Sequence, residues 1–187
     1  MSSSRPILPP WLWAPLVFVV DFVTKRIVLA NEAAFRARIE VIGDFARFIY
    51  VRNDSSAMDL FPVGRWPLVA VSVIAAVFIV YLYRTTDPVH RVRRTAMGAI
   101  FGGALGNLVD RIFYDGKVVD FIDLGLGTTR FYTFNVADIG VSVGGAILFA
   151  CLLFDRGPAP VAADPVDPND PAGGPAGDPA PARPDLP

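Results

Sequence analysis

TAMGAIFGGALGNLVDRIF, residues 95–113, is the stretch on which the fold turns. It is apolar enough and long enough to cross a hydrocarbon core of about 30 Å as a helix, which takes roughly 20 residues. Gly98, Gly102 and Gly106 recur at four-residue spacing and let a second helix approach closely. Beside that stripe, Gly103, Asn107, Asp110 and Arg111 follow at three- and four-residue spacing on overlapping helix faces. An ionisable group at mid-membrane costs roughly 3 kcal/mol even on the mildest scale. The polar end of this segment is therefore expected to point into a bundle of helices.

Outward from this segment, three more apolar runs fit the same length, at 11–29, 66–83 and 136–154. Composition agrees: 53% of the 187 residues are hydrophobic and 19% charged, with a mean hydropathy of +0.45, too apolar for an ordinary soluble domain. The expected fold class is an α-helical membrane protein of four transmembrane helices with a small outward-facing β-rich loop. The connection 84–94 is dense in arginine, whereas 30–65 balances arginines against acids. The positive-inside rule then puts 84–94 and both termini in the cytoplasm, and the loops 30–65 and 114–135 outside. Trp11, Trp13 and Trp66 fall at span ends, where amphipathic rings anchor at the interface.

The first run also follows Arg5 and ends near Val28-Leu29-Ala30, which loosely imitates a cleavable leader. Asp21, Lys25 and Arg26 interrupt the apolar core such a leader requires, so a retained span is expected. Within the outer loop, Ile39-Glu40-Val41-Ile42 alternates and Phe45 to Val51 is β-leaning, which predicts a small sheet ending at the polar cluster Asn53-Asp54-Ser55-Ser56. The chain divides at 156: residues 1–156 form the membrane domain. Residues 157–187, rich in Pro, Ala, Gly and Asp, lack the apolar side chains to offset ordering and are expected to be a disordered cytoplasmic tail.

Several chemistries are excluded early. A net charge of -1 supplies no basic surface for nucleic acid. Cys151 is the only cysteine and His90 the only histidine, so no internal disulfide and no Cys/His zinc site is possible. His90 lies among Arg84, Arg91, Arg93 and Arg94 and reads as part of a solvated basic loop, and Cys151 as a small packing residue.

The acids at the outer boundary remain. Asp120 sits between apolar neighbours in Val118-Val119-Asp120-Phe121, and Asp138 opens the fourth span. Asp138, Ser142 and Gly145 share a helix face, so Asp138 can turn towards the segment bearing Asp120. Two carboxyls in a partly desolvated site share a proton, which is the equipment of an aspartic protease. Structural readings stand beside this one: Asp138 favouring the helix start through the dipole, and Asp120 pairing with Lys117 or Arg111. Lys25 lies at i, i+4 from Asp21, which predicts an internal ion pair; a Ser-Lys pair with Ser55 or Ser56 is the rival.

Taken together, these residues resemble the bacterial lipoprotein signal peptidase family, also called signal peptidase II. The resemblance runs from the first span to the fourth. It rests on Gly102 to Arg111, then Val118-Val119-Asp120-Phe121-Ile122, then Phe134-Asn135-Val136-Ala137-Asp138, with Asp21-Phe22-Val23-Thr24-Lys25 in the first helix. It implies that Asp120 and Asp138 form a catalytic pair supported by Asn107 and Asn135. By the same resemblance Arg111 organises the nearby loop and substrate, Asn53 contacts substrate, and Asp21, Lys25 and Asp110 are structural polar residues. It implies an endopeptidase of the bacterial inner membrane, in contact with lipid, that removes signal peptides from diacylglyceryl-modified prolipoproteins without metal or cofactor. It also implies an outer loop folded as a small β-cradle on the membrane. Phe22 stands where the family usually has Gln, and Asp54-Ser55 where its asparagine is followed by Gly-Ala, which bears on substrate fit. Two other classes remain open: a noncatalytic four-span protein that binds or scaffolds lipoproteins, and a proton-coupled carrier using Asp110, Asp120 and Asp138. Against the carrier, the acids crowd one edge and no internal repeat is visible.

Overall fold

The computed structural model describes residues 8–53 and 65–154, so the polar cluster at 54–56 and the tail at 157–187 lie outside the described residues. A short 3-10 turn, Pro10–Leu12, leads into helix α1 (Trp13–Ala30), and a one-turn helix α2 (Glu32–Arg36) follows. Strands β1 (Ile39–Ile42) and β2 (Ala46–Asn53) come next, then helices α3 (Arg65–Thr85) and α4 (Arg91–Phe113). Strands β3 (Val118–Leu126) and β4 (Thr129–Arg130) precede the last helix, α5 (Val136–Leu153). Pro15 and Pro67 both fall in a first helical turn, where the missing N–H interrupts no helical hydrogen bond.

α3 and α5 are long and apolar enough to cross a membrane by length and composition. α1 and α4 were expected to do so too, but Asp21, Lys25 and Arg26 in the one, and Arg91, Arg93, Arg94, Asp110 and Arg111 in the other, carry them past that simple criterion. Where those charges sit is informative. In α1 the buried residues are Asp21, Lys25 and Val28, while Leu16, Val19, Val20, Val23 and Ile27 face outward. Charge inside and aliphatic outside inverts the pattern of a water-soluble helix and suits a hydrocarbon surrounding.

α4 is the middle of the bundle, packed against α1, α3 and α5. Where helices pack in a hydrocarbon surrounding, apolar contact drives association only weakly, and close packing through small residues takes over. The glycine stripe does this: a Cβ on Gly102 would run into the backbone carbonyl of Ala14 on α1, an atom that cannot rotate away. Gly102→Ala is therefore expected to lower unfolding stability by about 1–3 kcal/mol. Gly145→Ala, at a glycine with nothing within 4 Å, is expected to be neutral. Equal thermal shifts for the two variants in detergent would refute the packing role.

The expected sheet is present and is larger than the outer loop alone. β1 and β2 form a hairpin as anticipated, but β3, from beyond α4, joins as the third strand, and the order is β1-β2-β3-β4 with every pair antiparallel. Asp120 pairs in register with Val51, and Asn53 with Val118, so Asn53 lies diagonally across from Asp120 on the same face. A register shift between Phe48 and Val51 marks a bulge next to this pair. Below the sheet, Val28, Tyr50, Val119 and Phe121 form a small core that seats it on the end of α1.

Candidate active site

Two chain features bring the separated acids together. Phe134 exchanges hydrogen bonds with Ile122 (3.0 and 2.8 Å), which pins the chain two residues before α5 to the middle of β3. Asn135 then caps α5: its side chain accepts from the Asp138 N–H (3.0 Å), and Asp138 Oδ2 accepts from the Asn135 N–H (3.1 Å). This is a capping box, so the expected helix-start role of Asp138 is real. It occupies one oxygen only. Asp138 Oδ1 accepts from Asn107 Nδ2 at 2.8 Å, across the bundle on α4.

Asp120 is buried and held from two sides. Asn135 Nδ2 donates to its Oδ1 at 2.6 Å, and Asn53 Nδ2 to its Oδ2 at 2.9 Å. Both acids thus hang on one residue, Asn135, by its side-chain amide and its backbone N–H. Burial pushes the Asp120 carboxyl up to about 6. The Asn53 hydrogen bond works against that push, the Asp138 charge adds to it, and Asn135 and Lys25 oppose it.

Beneath the pair lies a closed charge network. Lys25 Nζ donates to Asn107 Oδ1 at 2.9 Å and forms ion pairs with Asp21 Oδ2 at 2.8 Å and Asp110 Oδ2 at 3.1 Å. Asp21, Lys25 and Asp110 are each no more than 1% exposed. Arg26 adds a second cation on Asp110 Oδ1 (3.2 Å) and donates to the Tyr114 hydroxyl, so two acids face two bases. Gly106 has no side chain because Asp21 occupies the space a Cβ would need. The carboxylates also fix backbone: Asp21 Oδ1 accepts from the Ala137 N–H at the start of α5 (2.8 Å), and Asp110 Oδ2 from the Val119 N–H next to Asp120 (3.1 Å).

The anticipated residues therefore gather in one place, with differences in detail. The Asp21 and Lys25 ion pair is as expected, but its third and fourth members, Asp110 and Asn107, tie it to Val119 beside Asp120 and to Asp138. Lys25 faces Asp21, Asp110 and Asn107, and Ser55 and Ser56, the serines of the rival Ser-Lys reading, lie outside the described residues. Arg111 sits among the charges of Asp138, Asp120 and Asp110 and donates to the Asn107 carbonyl (3.4 Å). Its Nε is buried without a hydrogen-bond partner among the described residues. The inward face of α5 differs from expectation. It runs through Ala137, Gly140 and Gly144, while Ser142 is exposed; Asp138 is half-buried at the edge of that face, reaching in through its cap.

Some contributors were not assigned a place in the site beforehand. Arg26 lies over the Phe22 ring at 4.8 Å and the Tyr114 ring at 5.0 Å, so the unusual Phe22 serves as a shelf for a guanidinium. The signal available was a third charge in an apolar run. On the sheet, Asp123 is gripped by Arg130 and Arg47 (both 2.8 Å), and Arg47 also reaches Asp44 (2.8 Å). Burial would raise the Asp123 carboxyl, but the hydrogen bonds from Arg130 and Arg47 outweigh it and hold it below its ordinary value.

Comparison with known proteins gives a consistent set of likenesses. A family model described as signal peptidase (SPase) II matches residues 13–154. A lipoprotein signal peptidase of Symbiobacterium thermophilum is 41% identical over 140 residues, covering 75% of this chain and 91% of the relative. One from Paraburkholderia phytofirmans is 33% identical over 151 residues, covering 79% and 86%. A solved bacterial membrane enzyme, determined in meso at 2.3 Å, superposes with a TM-score of 0.70 at 30% identity, over 77% of this chain and 87% of that one. A second, at 1.9 Å, gives 0.69 at 30% identity, over 79% and 94%.

Proposed function

The chain belongs to the signal peptidase II family, and from that premise we propose that it removes signal peptides from diacylglyceryl-modified prolipoproteins as an aspartic endopeptidase, with Asp120 and Asp138 as the catalytic pair. The observation that carries this reading is the shared anchoring of both acids on Asn135, with Asn53 and Asn107 holding the remaining oxygens. In the reaction the ionised acid takes a proton from water, whose oxygen attacks the scissile carbonyl carbon. The protonated acid donates to the carbonyl oxygen. The tetrahedral intermediate then collapses: the C–N bond breaks, the amine leaves with a proton from the pair, and the carboxyl product remains. The upward push on Asp120 supports it as the member that holds the proton.

Charge and surface support a four-span arrangement in the bacterial inner membrane with both termini cytoplasmic. The arginine-rich connection between α3 and α4 lies at the far end of α4 from Asp110 and Arg111, as the positive-inside rule requires. The aliphatic exterior and buried charges of α1 support its lying in lipid with α3 and α5. Val41, Ile42, Phe45, Leu126 and Phe131 are exposed on the sheet and its edge loops, which suits a sheet resting on the outer leaflet. The exposed side of α5 beyond Asp138, past Ser142 to the unfilled Gly145, supports entry of an apolar signal segment from lipid on that side, with Arg111 and Asn53 as the residues that would meet its polar end.

The test is cleavage by the purified full chain in a bilayer. A diacylglyceryl prolipoprotein should be cut before its modified cysteine, and the same precursor without the lipid should not. No cleavage of either, or equal cleavage of both, defeats the reading. A pH profile adds a second check. The mechanism needs one proton on the pair, so kcat/KM should fall as pH rises through an ionisation near 6 in the free enzyme. Asn53 favours the ionised form of Asp120; Asn53→Ala should therefore move that limb to higher pH, and a limb that stays put would argue against Asp120 as its source.

A further inference from the structure

At the opposite end of the bundle from the acids, a cavity of about 180 Å³ opens over α4 between the start of α1 and the end of α3. Trp11, Val80, Tyr83 and Phe101 give it apolar and aromatic walls, and Arg84 is its only charged lining residue. Arg94 is committed elsewhere: its guanidinium lies 4.2 Å over the Tyr83 ring, stiffening that wall, and it donates to the Thr86 carbonyl (3.3 Å). Arg93 reaches the Cys151 carbonyl (3.3 Å). Arg84 has no ion-pair or hydrogen-bond partner among the described residues. The one acid in the connection from Arg84 to Arg94 is Asp87, whose carboxylate accepts from the Val89 N–H (2.8 Å).

We propose that this cavity is a phospholipid site that takes the headgroup-proximal part of one acyl chain of an anionic lipid and holds its phosphate at Arg84. Charge complementarity selects the headgroup, since a net-positive mouth repels choline and attracts a phosphodiester with no compensating cation. Depth selects the chain: along α3 the lining passes from Arg84 at the helix end to Val80 one turn further in, about 6 Å along the axis and towards the hydrocarbon. Neither argument depends on the peptidase reading; both need only a membrane around the bundle.

Full chain released from nanodiscs of equal phosphatidylglycerol and phosphatidylcholine should retain the anionic lipid about fivefold over the zwitterionic one in native mass spectrometry. Arg84→Gln should bring that ratio to near parity. Val80→Trp, or the milder Val80→Phe, should fill the cavity and lose the retained lipid whatever its headgroup. Arg91→Gln, at an exposed arginine outside the lining, should change nothing. Millimolar glycerol 3-phosphate should not displace the lipid, because the chain supplies part of the binding. The proposal is overturned by parity in the unaltered protein or by retention in both Val80 variants. It is equally overturned if Arg91→Gln matches Arg84→Gln, which would indicate diffuse attraction by the basic end, or if glycerol 3-phosphate competes, which would indicate a soluble-phosphate site.

Discussion

Asp120→Asn and Asp138→Asn are each expected to reduce single-turnover cleavage by at least about a thousandfold, within the 10²–10⁴ range lost with a positioned general acid or base. Either amide keeps the shape of the carboxyl and removes its ability to exchange a proton with water. The double variant should be no slower than the worse single one, because two groups that act as a unit do not lose activity additively. The structural costs should differ. At Asp120 the new NH2 would face a donor amide, and Asn53 or Asn135 must turn to receive it, so either of two side chains can adjust. At Asp138 one oxygen accepts a backbone N–H that cannot turn, so the new NH2 must face Asn107. Turning Asn107 would break its bonds with Lys25 and Asn135. Asp138→Asn should therefore lose about 1–3 kcal/mol more in unfolding stability than Asp120→Asn. Cleavage retained within tenfold in either variant would remove the dyad from the mechanism.

How much of this could be read from residues alone depends on the range of each interaction. Asp21 and Lys25 are one turn apart in an apolar run, and the pair is legible by spacing. Their partners Asn107 and Asp110 are over eighty residues away, and only packing through the glycine stripe brings them near; the stripe is legible, the choice of partner is not. β3 was not anticipated as a strand. Its residues Val118 to Phe121 are all buried, as is Asp123, so over that stretch neither face is turned to water and the period-of-two signal is absent. The Asn135-Val136-Ala137-Asp138 cap was legible as a helix start. That the same carboxyl could also serve the site was not, because spacing does not divide the two oxygens of an acid between two roles. The inward face of α5 was misjudged for a related reason: Asp138 reaches the site from its edge, and polar spacing followed outward from it led to Ser142 rather than to the packed Gly140 and Gly144.

The largest loss of stability is expected at Lys25. Lys25→Met leaves Asp21 and Asp110 buried with one cation, Arg26, which pairs with Asp110 rather than Asp21, and the methionine returns neither ion pair nor the hydrogen bond to Asn107. Removing one partner of a buried charge pair costs about 3–5 kcal/mol, since the remaining charge is neither solvated nor matched. Asp21→Asn introduced together with Lys25→Met restores the balance, leaving Arg26 on Asp110, and should recover more than about 1 kcal/mol of the loss. The amide oxygen can still accept from the Ala137 N–H that holds the start of α5. Unfolding free energies of the three variants in bicelles give the comparison, and a Lys25→Met protein within about 1 kcal/mol of the original would show that the network does not hold the bundle. The effect should also reach the reaction. Asn107 keeps its Nδ2 on Asp138 because its Oδ1 is fixed by Lys25 and Asn135. Without Lys25 that amide is free to turn, and even the folded fraction should cleave more slowly, with the loss in kcat rather than KM because the residue touches the dyad's support and not the substrate.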